Sequence, residues 1–406
     1  MSRKVLIVAT MLAVSTVIVL QSCEKFEPSQ PNADEVIDAP VEGLSAAQNK
    51  VFLDGAAEFD EVYNTTTGLG PLFVVNSCGG CHAGDNRGHL FTNLTRFGQT
   101  DSTGNKFLEF GAPQLQNKSL FGYKAEELPA GATSSNFIAP IVSGVGFLEL
   151  VTDADILDMA DPNDANNDGI SGVPNWIGLP DWVIPAANAI HRNGKYIGRF
   201  GRKASAYNVH QQTVGAFNQD MGMTTSFMPE NPFNYKEGIP QAIGEPDITD
   251  AKLNAVVFYL QTLQAPIQRN QNDPTVLYGK KLFTQIGCES CHKQKLRTGY
   301  SVIEPLSNKE FSPYTDLLLH DMGSELDDNY TEGNAKTSEW RTSPLWGLGL
   351  APGSQGGQFF LMHDGRAKGI EEAIKLHGGE SANSRTKFNS LTEADKEAVI
   401  KFLKSL

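Results

Sequence analysis

The chain has 406 residues, 40% of them hydrophobic and 20% charged, which is enough for two or three domains with ordinary cores. No long apolar span follows the first 22 residues. The formal charge of −14 argues against nucleic acid as a partner and for basic redox partners or simple solubility.

The chain opens with Arg3 and Lys4, followed by an apolar run over 5–20. That run is too short and too close to the N-terminus to prefer a membrane-spanning reading, so 1–22 reads as an export signal. It leads into Leu20-Gln21-Ser22-Cys23, which resembles the bacterial lipobox, where the peptide is cut before the cysteine and the cysteine is lipidated. The expectation is a protein of the cell envelope, lipid-anchored through Cys23 and facing the periplasm or the outside. Without Arg3 and Lys4 the charge goes from −14 to −16, with 31 basic residues against 47 acidic. Residues 23–44 are rich in Pro, Asp, Glu and Asn and read as a flexible tether.

A helix is expected from about Ser45, because Phe52, Ala56, Phe59 and Tyr63 recur at helical spacing. It leads to Cys78-Gly-Gly-Cys81-His82. The same pattern returns at Cys288-Glu-Ser-Cys291-His292. Two cysteines three apart with a histidine next is the attachment signature of a c-type haem. The thiols add across the two vinyl groups, and the adjacent residue brings an imidazole under the iron. Four thiolates on zinc or an iron–sulfur cluster is the competing reading. The two pairs lie far apart, however, and each carries its own histidine. Two covalently bound haems c follow, on Cys78, Cys81 and His82 and on Cys288, Cys291 and His292. With Cys23 these account for all five cysteines, leaving none for a disulfide.

Residues 248–263 align without gaps on 391–406. Both stretches begin with a Thr suited to cap a helix and place apolar residues at helical spacing. A weaker echo relates 139–147 to 343–350. The expected architecture is all-α: two cytochrome c-like domains, 45–266 and 267–406, with long loops and a large insertion, 120–244, in the first.

Six histidines remain: His89, His191, His210, His320, His363 and His377. For the second axial position of the second haem, His377 is the first candidate, then Met322, then His320, against the plainer reading of packing residues. His89 or His210 would cap the first haem in a pure electron carrier. Asp164-Ala-Asn166-Asn-Asp168-Gly resembles a calcium loop, but Asn175 stands where a bidentate Glu would close it, and an Asn/Asp turn is the alternative. Arg199, Arg202, Lys203 and Arg366 are basic islands that suit haem propionates or a solvated face.

Several stretches together carry a resemblance. They are Arg199-Phe-Gly-Arg-Lys-Ala204, Asp220-Met-Gly-Met-Thr224, Asp316-Leu-Leu-Leu-His-Asp-Met-Gly323, Trp340-Arg-Thr-Ser-Pro-Leu-Trp-Gly347, His363-Asp-Gly-Arg-Ala367 and His377-Gly-Gly-Glu380. The sequence resembles the bacterial dihaem oxidoreductase family, related to the dihaem cytochrome c peroxidases and to the dihaem enzyme that matures methylamine dehydrogenase. The resemblance implies that the C-terminal haem takes electrons from a small redox protein or a quinol-linked donor. It implies that the N-terminal haem reduces hydrogen peroxide or another small oxidant. In the peroxidases a Met ligates the C-terminal haem after the His-Asp-Gly motif; the matching residue here is His377, which should lower that potential.

Peroxide cleavage needs an acid/base over the iron. Glu149, just after the Gly144-Val-Gly146 echo, is the candidate, with Gln114 and Gln116 to orient the peroxide and Trp346 to couple the haems. Two other classes of function stay open: pure electron transfer, and oxidation of an organic or protein substrate.

Overall fold

The computed structural model describes residues 32, 34–98, 100–101, 104–232, 234–236 and 244–406. The stretch read as an export signal, Cys23 and nearly half of the expected tether lie outside the described residues. The chain divides into two units, 1–36 and 37–406. Of the first, only 32 and 34–36 are described, where the backbone and side-chain amides of Asn32 donate to Glu35.

In the larger unit, helix α1 (Ala46–Asp60) starts at Ser45 with a reciprocal capping box to Gln48. Its inward face carries Phe52 and Phe59. It crosses α3 (Asp250–Thr262), which is capped by Thr249, and Phe52 meets Tyr259 at 4.9 Å between ring centroids. The chain builds the same crossing again from α4 (Pro274–Gln285) and α6 (Glu393–Ser405). There Phe283 meets Phe402 at 5.4 Å.

The two crossings share an atomic detail. A Cβ at Gly55 would stand 2.1 Å from the Ala255 carbonyl oxygen, and one at Gly279 would stand 2.0 Å from that of Ala398. Ala255 and Ala398 are equivalent positions of the two stretches that align without gaps. The weaker echo packs alike: a Cβ at Gly146 or Gly349 would come within 1.9 Å of the Gln261 or Lys404 carbonyl oxygen. Only glycine permits approaches this close. Each half is thus closed by a helix locked to the same pair of glycines.

The rest of the chain is only partly helical, and the all-α expectation is corrected here. The fold is mixed, 34% helix and 11% strand. Six small sheets are described, five of two strands and one of three. β1 (Leu94–Phe97) pairs antiparallel with β2 (Ser134–Phe137). The three-stranded sheet, built from β3 (Trp176–Ile177), β4 (His191–Arg192) and β5 (Lys195–Ile197), has β5 at its centre. β6 (Leu319–Asp321) pairs with β7 (Glu339–Arg341). None of these strands exceeds four residues, too short to print a sustained alternation in a loop-rich sequence.

The strands bring distant segments together. The Arg341 N–H donates to the Arg202 carbonyl at 3.0 Å, and the Ile138 N–H to that of His363 at 2.9 Å. The first hydrophobic core also recruits Leu296, Phe311, Leu317 and Trp346, from beyond the expected boundary at 266. A second core joins α4, α6 and α5 (Ile370–Lys375). Among the described residues no helix is long and apolar enough to cross a membrane.

Candidate functional site

Each cysteine motif opens into a cavity of its own. Cys78 and Cys81 line one of about 540 Å³. Cys288 and Cys291 line one of about 210 Å³. The four thiols therefore do not converge on a common centre. Burial pushes Cys78, Cys81 and Cys288 up to about 12 and also raises Cys291.

In the smaller cavity, α4 ends at Ile286, and Gly287, with φ 90°, turns the chain into the cysteine motif. His292 and Tyr314 O lie 2.9 Å apart through Nδ1. His377, two residues beyond the end of α5, is placed in the same way, with Nδ1 at 2.7 Å from Ala373 O. A carbonyl only accepts, so each Nδ1 carries the proton and each Nε2 presents a lone pair. Burial lowers the pKa of both rings, that of His292 to about 4, and keeps them neutral. Their centroids stand 6.5 Å apart. Two imidazoles sharing one metal, each bonded at roughly 2 Å, would have centroids roughly 6.4 Å apart. The pair therefore fits a haem iron ligated on both faces, with both rings oriented from behind by backbone carbonyls.

The other candidates near this cavity are placed differently. Met322 lines the wall, where its sulfur accepts from Ser381 Oγ at 4.0 Å. His320 has both nitrogens committed, Nε2 to Asp316 at 2.9 Å and Nδ1 to Glu380 at 2.7 Å. Although burial opposes it, those carboxylates hold His320 well above its usual pKa. It is a buried imidazolium and not a ligand. Among the described residues the only cluster with metal-holding geometry is Cys291, Asp316 and His320, which contains no second cysteine.

In the larger cavity, Ser77 caps the helical turn Cys78–Cys81, accepting from Gly80 N. His82 packs its ring on Phe59 at 6.1 Å, and burial lowers its pKa to about 4. Among the described residues it is the only imidazole on the wall of this cavity. His89 packs between Phe91 and Phe360, and His210 between Trp182 and Phe227, both off the cavity.

α2 (Val209–Met221) lines one side and contributes Gln212, Gln219 and Asp220. Burial raises Asp220 to about 6 against the attraction of Arg96. Arg96 is paired with Glu332 and donates to Gln219 Oε1 at 3.4 Å. Burial opposes ionisation of Glu332, but Arg96, Ser205 and Tyr330 hold it below the usual carboxylate range.

Two catalytic expectations are corrected. Glu149 is half-buried beside this region but is not on the wall. Its carboxylate accepts from Val209 N at 3.0 Å and from Gln261 Nε2 at 2.8 Å, which pins the start of α2 to α3. Gln114 is also off the wall, donating to Thr95 O and Leu115 O. Gln116 donates to Gln219 O at 2.9 Å and supports α2 from behind. Trp346 packs on Phe311 in the first core and lines neither cavity.

The Asp164–Asp168 loop is exposed, and its side chains serve its own backbone. Asp164 accepts from Gly169 N, Asp168 from Ile170 N and Asn166 from Asp168 N. This is the arrangement of an Asx turn.

Of the basic islands, Arg202 reaches the cavities. Arg199 is tied to Asp153. Lys203 donates to three carbonyls behind Trp340. Arg366 pairs with Asp364 and Asp328. Arg202 is joined by Arg87 and Arg341, and all three line both cavities. Neither of those two, nor Asp220, stood out as a site residue in the sequence. Asp220 and Arg341 lie in stretches that carried the resemblance, but nothing local assigns them a role.

Comparison with known proteins follows this geometry. Residues 133–406 match a family described as "Di-haem oxidoreductase, putative peroxidase". The matched span contains the second cysteine motif and begins after the first. No curated protein matches the chain. Among solved structures, one described as "Kuenenia stuttgartiensis Hydrazine Synthase Pressurized with 20 bar Xenon" is similar at 13% identity, over 94% of this chain and 96% of that one, with a TM-score of 0.39. A likeness of that size carries no argument about fold or activity.

Proposed function

The chain belongs to the di-haem oxidoreductase family, and from that premise we propose that it reduces hydrogen peroxide, or a small oxidant of that class, at the first motif with electrons delivered through the second. The observation that carries this reading is the difference between the cavities. The smaller has an imidazole on each side, His292 and His377, at the separation one metal would require. The larger has one imidazole, His82, and more than twice the volume, about 540 Å³ against about 210 Å³. One site is closed for electron transfer and the other keeps room for a substrate.

When bound, the haems supply the redox chemistry: two electrons and two protons convert hydrogen peroxide to two waters. The chain's own residues handle the protons and the orientation. Asp220, raised to about 6, holds a proton on its carboxyl in mildly acidic medium and is placed to give it to a departing oxygen. The ionised Glu332–Arg96 pair and the Gln212 and Gln219 amides present fixed donors and acceptors beside it. His82, His292 and His377 stay neutral, as ligands must. The cysteine pairs are the covalent attachment points. A small redox protein or a quinol-linked donor would supply the electrons, and Cys23 would hold the protein to a membrane of the cell envelope.

The test is peroxide consumption by the haem-loaded protein, fully oxidised and half-reduced, with a reduced donor present. Turnover in either state is expected, falling about a hundredfold in Asp220→Asn. Failure of the unaltered protein to consume peroxide in both states would overturn the reading in favour of a pure electron carrier.

A further inference from the structure

Three buried cations separate the two cavities. Arg87, Arg202 and Arg341 are 6%, 7% and 7% exposed. Among the described residues none of them forms an ion pair with a carboxylate. Their partners are neutral oxygens. Arg87 donates to Pro344 O, Arg202 to Ile138 O and Ser343 Oγ, and Arg341 to Gly201 O and Thr342 O. Arg87 Nε is buried with no partner at all.

The carboxylates that act on the cluster from a distance, Asp364 on Arg202 and Asp316 on Arg341, are already committed. Asp364 is paired with Arg366 and Asp316 with His320. Burial, and for Arg202 and Arg341 repulsion within the cluster, lowers all three arginines, to about 10, 9 and 10 in chain order, yet leaves them charged at neutral pH.

Unpaired buried charge is costly, and a fold retains it where an anion arrives to match it. Arginine's planar fork suits carboxylates. We infer that Arg87, Arg202 and Arg341 form one shared cationic wall that receives propionate carboxylates from both haems, so that the reduction potentials of the two sites are set together. The inference rests on haem occupying both cavities, and it does not depend on peroxide being the substrate.

A cation beside a haem favours the reduced form, so removing it lowers the potential. Because Arg202 lines both cavities, its loss acts on both sites. The experiment is a spectroelectrochemical titration of the haem-loaded full chain, without peroxide, on the unaltered protein, Arg202→Gln and Arg202→Lys. Haem content is counted in each, and circular dichroism checks folding. Arg202→Gln is expected to lower both midpoints, each by about the 59 mV that a tenfold change in a one-electron equilibrium represents. Arg202→Lys should restore most of that shift. Arg87→Gln and Arg341→Gln carry the same test should Arg202→Gln fail to fold. A shift confined to one haem, or no shift in a protein that retains both haems, overturns the inference. A protein that consumes no peroxide yet shows both shifts leaves it standing.

Discussion

The two halves of the molecule share a scaffold and differ in what they leave open. In each, an opening helix crosses a closing helix over a glycine, Gly55 on Ala255 and Gly279 on Ala398. In each, a short helical turn carries two cysteines and a histidine. The second half then sends a further histidine back to face the first, and the cavity shrinks around the pair. The first half has no such return. It inserts a long excursion whose helix α2 brings Asp220, Gln219 and Gln212 to the wall instead. On the proposed reading, a duplicated frame would support two chemistries through what is appended to it: a closing ligand in one copy, a proton-holding wall in the other.

The largest effect is expected where this difference is abolished. His377→Ala should open the second site, seen as loss of a low-spin haem spectrum and a fall of more than about tenfold in donor-driven turnover, since the conduit becomes a second open haem.

The shared frame is tested by Gly55→Ala and Gly279→Ala. Each added Cβ would collide with a backbone carbonyl, and each variant should lose about 3 kcal/mol in denaturant unfolding. Similar losses would support a common scaffold. A loss in only one would break it.

Asp220→Asn sharpens the contrast in pH. The folded pKa is raised, to about 6 from the ordinary 3.8, so the acid form is present below that value. Turnover should fall as pH rises through about 6, and the variant should lose that inflection. Stability has the same sign. Between the unfolded and folded pKa values the folded state holds a proton the unfolded chain has released, so stability declines as pH rises through that window. Asp220→Asn should remove the decline, read from unfolding midpoints across that range.

Glu149→Gln should leave peroxide turnover within about threefold and cost about 1 kcal/mol, because it weakens the acceptor for Val209 N and Gln261. The smallest effect is expected at Asp168→Asn in the exposed turn, within about 0.5 kcal/mol by thermal unfolding.

What was legible in the sequence was local or repeated. The cysteine motifs and the recurrence of the closing helix follow from residues near one another in the chain. The strands were hidden because pairs of two to four residues leave no periodicity to read. Arg202 was legible as a basic island, but the arginine wall was hidden because the chain assembles it from far-separated segments: Arg87 bonds to Pro344, 257 positions away.

The placement of Glu149 over the first cavity fails for a specific reason. Gly146 packs against the Gln261 carbonyl. That contact fixes the short helix Val145–Glu149 so that the carboxylate turns back to Gln261 and the start of α2. The echo is structural; Asp220, the proposed proton donor, comes from the inserted helix α2.

The most direct test of the asymmetry is to titrate the oxidised, haem-loaded protein with cyanide, which binds an iron with a free coordination position, and to count the haems that respond. One responding haem per chain is predicted, with the second unchanged until His377 is replaced by Ala. No response, or an equal response from both haems in the unaltered protein, would contradict the division into one open and one closed site.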